Sequence, residues 1–134
     1  MSHVVRIPAP DGLAGSPNYS HVVYGTGRLV AVAGQVAFDE GGELVGAGDP
    51  LAQTRQIFAN LGTALAAAGA TFADVVKLGY FVTDVAYLSA IRDVRAEVMG
   101  SHLPASTAVQ VAALFRPDLL LEIEAWAIVP ADRA

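Results

Sequence analysis

One stretch constrains the fold more than any other: residues 102–130, HLPASTAVQVAALFRPDLLLEIEAWAIVP. It reads as two strands joined by a tight turn. Val109, Val111 and Ala113 alternate with Ala108, Gln110 and Ala112, the period of two that a strand imposes. Arg116, Pro117 and Asp118 break that pattern with turn chemistry, because proline presets the backbone and aspartate can bond its own main chain. The second strand puts Leu121, Ile123, Ala125, Ala127 and Val129 on one face, and Leu120, Glu122, Glu124, Trp126 and Ile128 on the other. The first face is wholly apolar and suits a cover of helices. Two carboxylates interrupt the second. Taken alone, Glu122 and Glu124 mark a solvated face; in so apolar a run they also fit an interface in which one carboxylate works in a pocket.

Composition favours the interface. Hydrophobic residues make up 54% of the 134-residue chain and charged residues 16%, against a usual charged share of about 25%. A small domain has too much surface to cover with so few charges, so a closed homo-oligomer is expected. The length fits a single domain spanning residues 1–134. A formal charge of −5 with no Lys/Arg cluster argues against nucleic-acid phosphates and anionic lipid. The absence of cysteine excludes a disulfide, a thiol nucleophile and a zinc–thiolate site. The opening MSHVVRIPAPDG has no secretory pattern, and no apolar run approaches the roughly 20 residues of a membrane span. A cytoplasmic location is the expectation.

Along the chain, residues 1–17 read as a Pro/Gly-rich arm, and residues 19–24 and 28–38 as strands separated by Gly25 and Gly27. DEGGE at 39–43 suggests a further hairpin. Asp49 and Pro50 begin a helix whose stripe is Leu51, Ile57, Phe58, Leu61, Ala64, Leu65 and Ala68, stopped by Gly69. Residues 75–83 are a strand in which Gly79 marks a bulge or a close approach. Asp84 caps a second helix with Leu88, Ile91, Val94 (or Arg95) and Val98 inward, stopped by Gly100. The order β-β-(β)-α-β-α-β-β predicts an α+β fold with two helices on one face of a mixed sheet. The face carrying Glu122, Glu124 and Trp126 is left for self-association.

Motifs for known chemistries are scarce. Gly25 and Gly27 lack the third glycine of a dinucleotide fingerprint, and no P-loop lysine follows. His3, His21 and His102 are too dispersed for a metal site, and no cofactor is expected. Ser106 and Thr107 follow His102 without a nucleophile elbow, and read as strand-entry hydroxyls that bond backbone or ligand. Tyr19 and His21 share one side of a strand, where they line a cleft or simply pack with polar tips outward.

Tyr19, the AGQ at 33–35, TRQIFANLGTALAAAGATFADVVK, YFVTD, LPAST and LEIEAWAIV, in that order, resemble the reactive intermediate deaminase A (RidA, or YjgF-type) family over about residues 17–130. The resemblance implies a chorismate-mutase-like fold and a homotrimer that holds small-molecule ligands in clefts between subunits. It implies hydrolysis of enamine or imine intermediates derived from amino acids to 2-oxo acids and ammonia; other members are described as ribonucleases or translation inhibitors. Tyr19 matches the cleft tyrosine and Glu122 the carboxylate that orients the attacking water. Gly34 and Gln35 keep a strand motif in which Ala33 replaces the usual serine. Arg92 falls where asparagine is frequent, Ala108 where cysteine is, and Ser106 where deaminating members carry an arginine for the substrate carboxylate. A hydroxyl cannot neutralise a carboxylate, so weak activity on 2-iminopropanoate-type substrates is expected unless a cation such as Arg92 substitutes. Ser106, Thr107 or Tyr19 is expected to donate a hydrogen bond to Glu122. The rival reading is a trimeric module that captures a small metabolite without turning it over; an RNA-cleaving protein is a distant third.

Overall fold

The computed structural model describes residues 3–133. The apolar set of the last strand, β6 (Leu121–Val129), is buried as its alternation requires: Leu121, Ile123, Ala125, Ala127 and Val129 all lie in the core. A strand so apolar belongs in the interior of a sheet, and β6 lies between β3 (Arg28–Gln35) and β4 (Val75–Val82). It is antiparallel to both. The edge next to β4 is β5 (Ala105–Gln110), parallel to it. The sheet order is therefore β3-β6-β4-β5, a mixed sheet.

That order corrects the expected pair of strands joined by a tight turn within 102–130. Parallel strands need a crossover, and α2 (Leu88–Met99) carries the chain from β4 to β5. The polar Ser106, Thr107 and Gln110 suit β5 to an edge. Residues 111–120 then run as a connection that returns the chain to the middle of the sheet.

Both helices pack on one face of the sheet, as expected. Helix α1 (Pro50–Ala67) starts where the sequence predicts, with Asp49 accepting a hydrogen bond from the Ala52 amide. Ile57, Phe58, Leu61 and Leu65 are buried, whereas Leu51, in the first turn, is 40% exposed. The polar Gln53 is fully buried in its stead. Its Nε2 donates to the Gly46 and Asp118 carbonyls, each at 3.1 Å, and its Oε1 accepts from the Leu120 amide at 3.0 Å. One side chain thus fixes the entry to β6 against α1. Asp84 caps a short helical turn at Val85–Tyr87 rather than α2 itself. In α2 the inward residues are Ile91, Val94, Arg95 and Met99, and Val98 points outward.

The amino-terminal arm holds a strand that its Pro/Gly content conceals. β1 (Val4–Ile7) pairs antiparallel with β2 (Val22–Gly25) as a separate ribbon. The expected strands at 19–24 and 28–38 are accordingly shorter, and the hairpin at 39–43 reduces to one bridge between Phe38 and Leu44.

Candidate functional site

Polar side chains of interest gather on the two opposite faces of the sheet. On the helix-covered side a cavity of about 170 Å³ opens between α2, β4, β5 and the segment before β2. Ser106 and Ala108 pair with Leu78 and Tyr80, and side chains in register share a face, so both point to this side. Tyr19 enters from the opposite wall. Its position follows from Ser20, whose Oγ donates to the Leu103 carbonyl at 2.7 Å and whose amide donates to the Pro104 carbonyl at 3.1 Å. Helix α2 supplies Arg92 at the rim and Arg95 in the wall, one turn apart. Of the residues expected to form a site, the cavity thus brings together Tyr19, Arg92, Ser106 and Ala108. His21 packs its ring edge-to-face on Tyr19, at 5.1 Å between centroids, and does not line the cavity.

Two residues of this wall escape the strand and helix pattern. Tyr80 is buried, and burial pushes its phenol up to about 12, the nearby Arg95 and Arg92 opposing that rise only in part. It therefore keeps its proton at neutral pH. Arg95 is 5% exposed, and its Nε and Nη1 have no hydrogen-bond partner among the described residues. Its place on the inner stripe was open to Val94 as well, and nothing in the spacing singles it out as a cavity residue.

The uncovered face carries the carboxylates. Glu122 and Glu124 are half-buried between Gly34 on one side and Gly79 on the other. A methyl group at Gly34 would collide with the Glu122 carboxylate, and one at Gly79 would meet the Glu124 side chain at 2.8 Å. Each glycine is the space its neighbouring glutamate occupies. A bulge in β3 makes this possible: Val32 pairs with Ala125 and Gln35 with Ile123, so Ala33 and Gly34 together stand opposite Glu124. Neither carboxylate makes a hydrogen bond or ion pair among the described residues. Burial, and next the charge of Glu124, raise the Glu122 carboxyl above its ordinary range.

This arrangement corrects one expectation. Within one chain, neither Ser106 nor Tyr19 reaches Glu122, because β4 separates β5 from β6 and the cavity lies on the other face. Thr107 does share the open face, but its hydroxyl accepts from Lys77 Nζ at 2.9 Å. Among the described residues no group of three or more His, Asp or Glu side chains is placed to hold a metal ion, and no helix is long and apolar enough to cross a membrane.

A protein-family model described as Endoribonuclease L-PSP matches residues 10–129. The chain belongs to that family, known also as the YjgF/RidA/RutC family. A RutC family protein of Pyrococcus abyssi is 38% identical over 123 residues, which is 91% of each chain. A second, from Pyrococcus horikoshii, is 39% identical over 102 residues, 75% of this chain and 79% of that one. Among solved structures, the Rid family protein YyfB of Yersinia pestis superposes with a TM-score of 0.87 at 42% identity, covering 96% of this chain and 100% of its own. The YjgF/YER057c/UK114 member from Mycobacterium tuberculosis does so at 0.67 and 35% identity, over 94% and 99%. Two helices on a mixed sheet is the fold these RidA relatives share with this chain, whose two faces hold the two separated groups of polar residues.

Proposed function

We propose that this RidA-family chain hydrolyses a small imine or enamine, and that it does so as a homotrimer whose clefts combine the two faces of the sheet from neighbouring subunits. The observation that carries the reading is Glu122: a half-buried carboxylate without a partner among the described residues, given space by Gly34, on a face no helix covers. That face also exposes Trp126, Val109 and Leu29, apolar groups that self-association would cover. Since Tyr19, Arg92 and Ser106 open to the opposite face, one chain holds an incomplete constellation. A neighbouring subunit is the economical source of the remainder.

In the reaction, an enamine first tautomerises to its imine. Glu122 accepts a proton from water as the water oxygen bonds to the C=N carbon and the π electrons move to nitrogen. Glu122 then returns the proton to that nitrogen. The carbinolamine so formed loses ammonia, its hydroxyl proton leaving with the nitrogen, and the carbonyl product remains. The balance is imine plus water to carbonyl plus ammonia. Tyr80, protonated at neutral pH, and Ser106 offer hydroxyl donors that position the substrate, and general acid/base help of this kind contributes roughly 10²–10⁴-fold.

Glu122→Gln separates turnover from capture. The expected result is a trimer by light scattering that binds ligand and no longer accelerates hydrolysis of imines generated by an amino-acid oxidase. Wild-type turnover in a trimeric variant would remove Glu122 from the chemistry. A wild-type protein that binds imines without hydrolysing them would favour the capture module, and release of nucleotides from RNA in the same preparation would favour the nuclease.

A further inference from the structure

We propose that the anchor for an anionic ligand in this chain is Arg95, a guanidinium delivered from helix α2 into the cavity wall, and that the cavity selects a small carboxylate. This deepens the hydrolase reading by naming the residue that recognises the carboxylate where Ser106 stands in place of the family's arginine, and rests on that reading only for what happens to the ligand after binding.

Four observations converge. Arg95 is 95% withdrawn from solvent by its 5% exposure, yet Nε and Nη1 lack partners among the described residues. A buried cation with unmade hydrogen bonds is costly, and it persists where an incoming anion completes it. Among the described residues the cavity it lines has no acid: Tyr19, Tyr80, Ser106, Arg92, Asn18 and Ser16 are its other polar groups. Arg92, one turn earlier on the same helix face and exposed, adds a second positive charge at the rim. The space is small and otherwise apolar, with Leu88, Ile91 and Ala108 completing the wall. A cavity of about 150 Å³ accepts benzene, so the occupant has roughly six to nine non-hydrogen atoms. A planar carboxylate meets the planar guanidinium with two parallel hydrogen bonds, and a short apolar tail fits the rest. Ser106 lines the same cavity and offers a hydroxyl to the same anion.

The probes are pyruvate and its neutral counterpart pyruvamide, titrated calorimetrically against the intact chain. Wild type is expected to bind pyruvate at least tenfold more tightly than pyruvamide. Arg95→Met is expected to bring that ratio close to one while the melting temperature stays level or rises, because an unpaired buried charge has been removed. Arg95→Lys keeps the charge but not the fork, and should retain part of the preference. The double variant Arg95→Met/Ser106→Arg returns a guanidinium to the same cavity from β5 and should regain it. The proposal fails if Arg95→Met and Arg95→Lys both bind pyruvate within twofold of wild type. It also fails if Arg95→Met melts lower and the double variant shows no rescue, since Arg95 is then a structural ion, paired for instance by an acid of another subunit. Inorganic phosphate binding more tightly than pyruvate would overturn the carboxylate assignment. Loss of imine hydrolysis in wild type with the pyruvate preference intact would remove the hydrolase reading and leave the anchor standing.

Discussion

The two faces of the sheet differ in a way that a single strand already foreshadows. Among the described residues, the helix-covered face closes over a cavity with two arginines and no acid, and the open face carries two carboxylates with no cation paired to either. Both carboxylates and the Arg95 Nε and Nη1 are thus left without partners among the described residues, although a half-buried Glu beside an Arg would compensate both charges. Pairing would also have used them up. Separation leaves a guanidinium free for an anion and a carboxylate free for a proton, and on the proposed reading the chemistry would depend on bringing two subunits together.

The largest expected effect tests that dependence directly. Glu122→Gln and Arg95→Met, each alone, should turn over a carboxylated imine at least 10²-fold more slowly than wild type. Mixed as unfolded chains in equal amounts and refolded together, they form trimers in which some clefts receive Glu122 from one subunit and Arg95 from another. Random assortment in a cyclic trimer makes about a quarter of the clefts fully wild type, so about a quarter of the activity should return. No recovery would mean that both residues serve one chain's own site, and the division of labour between faces would be wrong.

Next comes a change that should harm both faces equally. Gln53→Leu leaves the Gly46 and Asp118 carbonyls and the Leu120 amide without their partner. The Gly46 carbonyl still accepts from the Asp49 amide, but with the Asp118 carbonyl and the Leu120 amide orphaned at the entry to β6, a loss of about 2–4 kcal/mol in urea unfolding is expected. Pyruvate binding and turnover should decline together. A variant that lost only one of them would show the faces to be mechanically independent.

Gln53 is also where sequence reading stops. The alternation of β6 identified which of its residues face the helices, because a two-residue period on a strand leaves little freedom. The helix starts at Asp49 and Pro50 were legible for a similar local reason. Gln53 and Arg95 were not, since their roles come from groups 65–67 residues away in one case and from a cavity wall in the other. The parallel β4–β5 pairing was hidden because a period of two gives the face of a strand and not its neighbour. β1 was masked by proline and glycine that flank it. Gly79 was recognisable as a close approach; that Gly34 does the same for Glu122 needed the bulge in β3 to be seen.

A one-sided perturbation sharpens the comparison further. Gly34→Ala sets a methyl group where the Glu122 carboxylate now lies, and the flexible glutamate side chain must swing aside. Displacement of a positioned base by about 1 Å is worth on the order of 10²-fold in turnover. Pyruvate affinity, governed from the other face, should change less than twofold. Equal losses in both would tie the anion site to Glu122.

The smallest effect concerns pH, and here one residue should pull stability and turnover in opposite directions. Glu122 is held above the ordinary carboxylate range by burial first and by Glu124 second. A folded-state value above the unfolded one means the fold prefers the protonated acid. That contribution is complete below the unfolded value of about 4.3 and is lost as pH rises through the elevated folded value. At pH 7 the ionised side chain is therefore a small burden, below about 1 kcal/mol because solvent still screens it. Glu122→Gln should accordingly be slightly more stable than wild type at pH 7 and indistinguishable from it near pH 4, compared at one subunit concentration in urea. Turnover runs the other way: only the ionised form accepts a proton, so the rate should fall as pH drops through that same elevated value. A kinetic midpoint at the ordinary carboxylate value, with Glu122→Gln no more stable than wild type at pH 7, would mean that Glu122 gains a cation or a donor in the assembled cleft. The separation of charges seen in one chain would then end when the subunits meet.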